Sequence, residues 1–137
     1  MEKNFDVIFS QIQKSLENQL AENSVSEATV EQAVNGGGTI PFELRLDGNG
    51  NGHYEISKRG WGVTISATAT ILEPSGAMFN LVVHSSDGGG GEWYNVSTGQ
   101  SVSCKLKTSF WHSTKITVDV HCNKPNTTLK ARLDYNY

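Results

Sequence analysis

Three tryptophans, Trp61, Trp93 and Trp111, stand in stretches that also carry side chains able to grip a polar ligand. Arg59 lies two residues before Trp61, Glu92 and Tyr94 flank Trp93, His112 follows Trp111, and Asp87 precedes the glycine run Gly88 to Gly91. Flat aromatic faces beside a few polar groups suit sugar rings or a membrane interface. Arg59, Trp61, Asp87, Glu92, Trp93, Tyr94, Trp111 and His112 are therefore the candidate ligand-binding set. The indoles and Tyr94 would stack or anchor, while Arg59, Asp87 and Glu92 would orient polar groups. The competing expectation is packing, with Trp61 in an inward row, Trp93 capping the core and Trp111 exposed at a hairpin tip.

Other chemistry-bearing residues point to less. Asp47-Gly48-Asn49-Gly50-Asn51-Gly52 follows the first half of a calcium loop, with Glu55 as a further oxygen donor. Lys58 stands where the loop's bidentate Glu belongs, so a hairpin turn using Gly and Asn at positive φ is preferred. His53, His84, His112 and His121 lack metal-ligand spacing and read as solvent-facing strand residues; no cofactor is implied. The run Gly88 to Gly91 does not follow a strand and open a helix, which excludes a phosphate loop and leaves a mobile tip able to fold over a ligand. Asn95-Val96-Ser97 and Asn126-Thr127-Thr128 are formal glycosylation sequons. Nothing matches G-x-S-x-G, H-E-x-x-H or a carboxylate pair in a cleft, and a non-enzymatic protein is expected.

Cys104 and Cys122 bracket a turn near Ser113. Directly opposed on adjacent antiparallel strands, their Cα atoms would lie about 4.5–5.5 Å apart, within reach of a disulfide. A bridge and two free thiols acting as small hydrophobes both remain open, the second favoured by the lack of a signal-peptide core.

These residues are positioned by two kinds of element. Phe5, Ile8, Phe9, Ile12, Leu16 and Leu20 recur at helical spacing after a candidate N-cap, Asn4. Ser24 and Glu27 form a capping box before a second short helix ending at Val34. Residues 1–35 are thus an amphipathic helical arm and 36–38 a glycine linker. From Thr39 the apolar period becomes 2, as in Ile40, Phe42, Leu44 and Leu46, or Ile116, Val118 and Val120. About eight short strands with tight turns and no crossover helices predict that 39–137 form a mainly β, jelly-roll-like antiparallel sandwich. Strand reversal then assigns the loops at 58–61, 85–92 and 111–114 to one end, which gathers the tryptophans. The loops at 47–52, 73–76, 97–99 and 123–126 share the other. Cys104 falls in a strand expected to run through Val102, Leu106 and Phe110.

This layout, an amphipathic N-terminal helix joined to a sandwich with a tryptophan-rich end, resembles that of actinoporin-type cytolysins. The likeness is one of arrangement, and no functional residue is carried over from it. It implies a toxin-like, pore-forming oligomer, with the arm inserting in membranes. From the residues themselves, packing of the arm's stripe on the sandwich, or self-association through residues 4–34, is preferred to membrane insertion.

The 137 residues are 36% hydrophobic and 18% charged with a net charge of −3, which suits one globular domain and excludes intrinsic disorder. A mildly acidic balance argues against a nucleic-acid partner. Without a signal-peptide core the chain is expected to start in the cytosol, so that export would take a non-classical route. The leading expectation is a binding protein for a glycan or lipid headgroup. The rival is a structural or assembly protein, such as a phage tail or appendage component, with the helix joining subunits.

Overall fold

A computed structural model describes residues 7–12, 14 and 36–137. The Asn4 cap, the second short helix and most of the arm proposed for self-association lie outside the described residues.

Eight strands follow in order: β1 (Gly37–Arg45), β2 (Asn51–Arg59), β3 (Thr64–Glu73), β4 (Met78–Ser85), β5 (Gly90–Ser97), β6 (Ser101–Lys107), β7 (Ser113–Cys122) and β8 (Thr128–Asn136). They form two antiparallel four-stranded sheets, ordered β1-β8-β3-β6 and β2-β7-β4-β5. This is the jelly-roll arrangement of a β-sandwich. Alternation along the strands sends one row of each inward, including Phe42 and Leu44 from β1, Tyr54 and Ile56 from β2, and Ile116, Val118 and Val120 from β7. Outward rows are mostly polar, with Leu72 and Met78 as exposed exceptions, and hydroxyl pairs such as Thr68 with Ser103 (2.8 Å) and Thr70 with Ser101 (2.7 Å) tie β3 to β6. Pro41 is tolerated because β1 is an edge strand, where a missing N–H costs no ladder bond.

Three details depart from expectation. The glycines at 36–38 are not a free linker: Gly37 and Gly38 belong to β1, opposite Asn136 and Tyr135, and Gly36 exchanges backbone bonds with Tyr137 at 3.0 and 2.9 Å. Tyr135 and Tyr137 crowd these positions so closely that a Cβ on Gly36 would lie 2.8 Å from the Tyr137 hydroxyl. The cysteines are not neighbours. Cys104 in β6 is opposite Ala67 and Cys122 in β7 is opposite Phe79, one in each sheet, because the β6–β7 connection crosses between sheets. They are therefore not the directly opposed pair expected of adjacent strands, and both thiols are free. Finally, β6 stops at Lys107, so Phe110 leaves the expected apolar row and is 40% exposed.

Residues 7–12 are helical. Ile8, Phe9 and Ile12, one face of that helix, are buried in the same core as the sandwich. No helix among the described residues is long and apolar enough to cross a membrane.

Candidate functional site

The loops sort to two ends as strand reversal requires. At one end the β1–β2 and β7–β8 connections bond to each other (Asn126 N to Asp47 O, 2.9 Å), as do the β3–β4 and β5–β6 connections (Thr98 N to Ala77 O, 3.2 Å). At the other lie the β2–β3 loop (60–63), the β4–β5 loop (86–89) and the β6–β7 loop (108–112). Thr108 N donates to Val63 O at 3.0 Å and Lys107 N to Gly88 O at 2.9 Å, locking these three together.

Asp87 organises this second end. Its Oδ1 meets His112 Nε2 and its Oδ2 accepts the Thr114 hydroxyl. Hydrogen bonding from Thr114 first, and from His112 second, holds the Asp87 carboxyl below the usual carboxylate range against the opposing effect of desolvation. Thr114, itself buried, also accepts Ser109 N–H at 2.8 Å. Ser85, fully buried, donates its hydroxyl to Lys107 O at 2.6 Å. The glycine run does not stand free as a tip but packs on the opposite sheet. Gly89 bridges to Leu106 of the opposite sheet, and a Cβ there would lie 2.0 Å from Lys105 O, an approach only glycine permits, with φ at +91°.

The 108–112 loop carries the exposed aromatics. Ser109 Oγ accepts backbone N–H from Trp111 (3.0 Å) and His112 (3.1 Å) and lies 3.2 Å from His112 Nδ1. Ser109, His112 and Asp87 are thus connected in series, with the ring nitrogens used in the reverse order of a hydrolytic triad. Both lone pairs of the Ser109 oxygen are taken by backbone N–H groups, so this oxygen fixes the loop rather than presenting a nucleophile. Arg59 Nη2 reaches Trp111 O at 3.5 Å. Phe110 meets Trp111 edge to face, with ring centroids 5.2 Å apart, and covers Gly62. The product is an indole that is 72% exposed on a loop pinned at both sides.

Of the candidate set, Arg59, Asp87, Trp111 and His112 come together. The other four do not. Trp61 is buried, with Phe9 stacked on it at 3.8 Å and 2° between planes, because Gly60 and Gly62 at positive φ turn the chain inward on both sides of it. Its indole nitrogen has no hydrogen-bond partner among the described residues. Trp93 faces the interior from β5, opposite Leu81. Glu92 and Tyr94, its neighbours along that strand, point to the outer face, where Tyr94 is 61% exposed and donates to Glu92 Oε2 at 3.0 Å. Strand alternation forbids Trp93 from sharing a surface with them. Phe110, Ser109 and Thr114 were absent from the expected set; short polar residues on either side of a Trp-His pair were the available signal.

The calcium-loop arrangement also dissolves. Asp47 Oδ1 accepts the N–H groups of Asn49 and Asn51, each at 2.9 Å, closing a turn and lowering the Asp47 carboxyl. Asn51 Oδ1 faces His121 Nδ1 at 2.8 Å, and Glu55 pairs with Lys115 at 3.1 Å. Asn51 and Glu55 stand four residues apart on β2, about 13 Å, too far to share an ion. Among the described residues no group of three or more His, Cys, Asp or Glu side chains is placed to hold a metal. His53, His84 and His121 face solvent from strands as expected, with the His53 side chain 56% exposed beside Asp119, whereas His112 is exposed in the β6–β7 loop rather than on a strand.

No protein-family model matches the sequence, and no curated protein matches it. Among solved structures, the chain is similar to the Macrobrachium rosenbergii nodavirus P-domain, at 5% identity over 74% of this chain and 90% of that one, with a TM-score of 0.41. It is also similar to the Yersinia pseudotuberculosis-derived mitogen, at 14% identity over 72% and 85% of the two chains and a TM-score of 0.38. TmCBM61, solved in complex with beta-1,4-galactotriose, matches at 16% identity over 82% of this chain and 79% of its own, with a TM-score of 0.36. Likeness at these levels concerns the β-sandwich fold alone.

Proposed function

We propose that this domain is a non-enzymatic glycan-binding module whose site is the end formed by Arg59, Asp87, Phe110, Trp111 and His112. The observation that carries the reading is the exposure of Trp111, 72%, on a loop held by Ser109, Arg59 and the Asp87 network. An immobilised exposed ring offers apolar area to the C–H face of a sugar at little entropic cost. The Arg59 guanidinium and the His112 imidazole, whose side chain is 66% exposed, supply the polar contacts for hydroxyls at its rim.

The test is a glycan array followed by titration of the best binder against the parent and Trp111→Ala. Loss of one stacking ring is expected to weaken binding about tenfold or more, with thermal stability unchanged because the ring is exposed. A blank array, or a variant that binds as the parent does, would refute the reading.

A further inference from the structure

Between the sheets lies an apolar cavity of about 70 Å³. The β1-β8-β3-β6 side lines it with small residues, notably Ala67, Ala69, Ala131 and Cys104, which do not fill the space facing Leu81 and Trp93. Apart from the Cys104 thiol and the Trp93 indole nitrogen, its lining side chains are hydrocarbon. A water needs two to four polar partners, so such a space stays dry. Its wall runs along β3 from Ala67 to Ile71, four residues and about 13 Å. A small volume spread over that length is a slender channel rather than a round void.

The channel has an entrance. β5 and β6 are edge strands of opposite sheets, and the backbone contacts Gly89–Leu106 and Lys107 N to Gly88 O join the sheets beside them at one end. Inward residues farther from these two edges, such as Ile116, Val118 and Leu133, are buried. Trp93, Val102 and Cys104, inward on the two facing edges, are only half-buried and packed against the core. The mouth of the channel thus lies between β5 and β6, where these lining side chains are partly exposed.

We propose that this channel binds an unbranched alkyl chain, inserted between β5 and β6 past Trp93 and Cys104, at a site separate from the Trp111 end. Burial of methylenes against a wall of alanine, valine and leucine side chains drives entry, and the bore selects a straight chain over a ring. A polar head stays in solvent at the mouth.

The experiment uses the full chain and sodium decanoate below its micelle concentration. Two signals are followed: the Trp93 indole N–H resonance, assigned with Trp93→Phe, and the rate of Cys104 alkylation by iodoacetamide, read by peptide mass with buried Cys122 as internal reference. Decanoate is expected to shift the Trp93 resonance, leave that of Trp111 in place and slow Cys104 alkylation at least fivefold. Ala69→Leu, which fills the channel, should abolish both effects, and the milder Ala69→Val should weaken them. An unshifted Trp93, an unprotected Cys104, or equal protection in either Ala69 variant would overturn the proposal. Equal protection by cyclohexanecarboxylate would overturn the preference for a straight chain.

Discussion

Replacing Thr114 with valine tests whether the Asp87 network is what holds the candidate site in shape. Thr114 is 1% exposed, and its hydroxyl both donates to Asp87 and accepts Ser109 N–H at 2.8 Å. Valine keeps the shape and deletes both bonds, leaving the Ser109 N–H unpaired in a partly buried position. An orphaned donor plus a lost bond places the cost at about 2–3 kcal/mol. With a urea dependence of about 2 kcal/mol per molar, the unfolding midpoint should fall by about 1 M. Part of this cost depends on Asp87 being ionised. Because its folded pKa is depressed, the carboxylate's stabilisation is present above the unfolded value of about 3.9 and is lost as pH falls through the folded one. The gap between parent and Thr114→Val should therefore narrow below about pH 4. Urea titrations followed by circular dichroism at pH 7 and in acid decide the matter. A midpoint change under about 0.25 M at pH 7, or a gap that acid leaves unaltered, would show that Asp87 does not organise this end.

Three further outcomes are expected. Phe9→Ala removes the ring stacked on Trp61 and should cost about 3 kcal/mol, with Trp61 emission moving to the red when Trp93 and Trp111 are replaced by phenylalanine; unchanged emission would mean the helix does not cover the indole. Gly89→Ala forces a Cβ against Lys105 O at a φ of +91° and should destabilise by about 2 kcal/mol or more, lowering the melting temperature by about 6 °C or more in differential scanning calorimetry. His53 is held above its ordinary pKa chiefly by its hydrogen bond to Asp119, so its contribution is complete below about pH 6.5 and fades as pH rises through the folded value. The urea-midpoint difference between parent and His53→Gln should accordingly shrink from pH 5.5 to pH 9, and a difference that grows instead would contradict the pairing.

Legibility in the sequence followed the reach of each signal. The period-2 rows of β1, β3, β7 and β8 were readable because each buries one face, and the assignment of loops to ends needed only strand parity. Sheet membership was not readable. Cys104 and Cys122 look like neighbours along the chain, but whether successive strands pair or cross to the other sheet depends on how the whole body closes. Within the candidate site, the meeting of Trp111, His112, Asp87 and Arg59 at one end was readable through loop parity, while Trp61 was misplaced because two flanking glycines send it inward. Trp93 was grouped with Tyr94 although adjacent strand residues face opposite ways. Ser109 and Thr114 escaped notice since a hydroxyl that braces a turn looks, in sequence, like any other.

The strand pairings β4–β5, β3–β6, β2–β7 and β1–β8 nest one within another around residues 86–89. The molecule is in effect a single long hairpin rolled on itself, and the innermost closure is the one beside Asp87. Every outer pair joins partners still more remote along the chain, so assembly from that turn outward meets the smallest chain-closure cost first and the largest last. Such dominance by distant pairing is characteristic of proteins that fold in milliseconds to seconds rather than microseconds. The β4–β5 tip is consequently where the Asp87 network and the earliest favourable loop closure coincide.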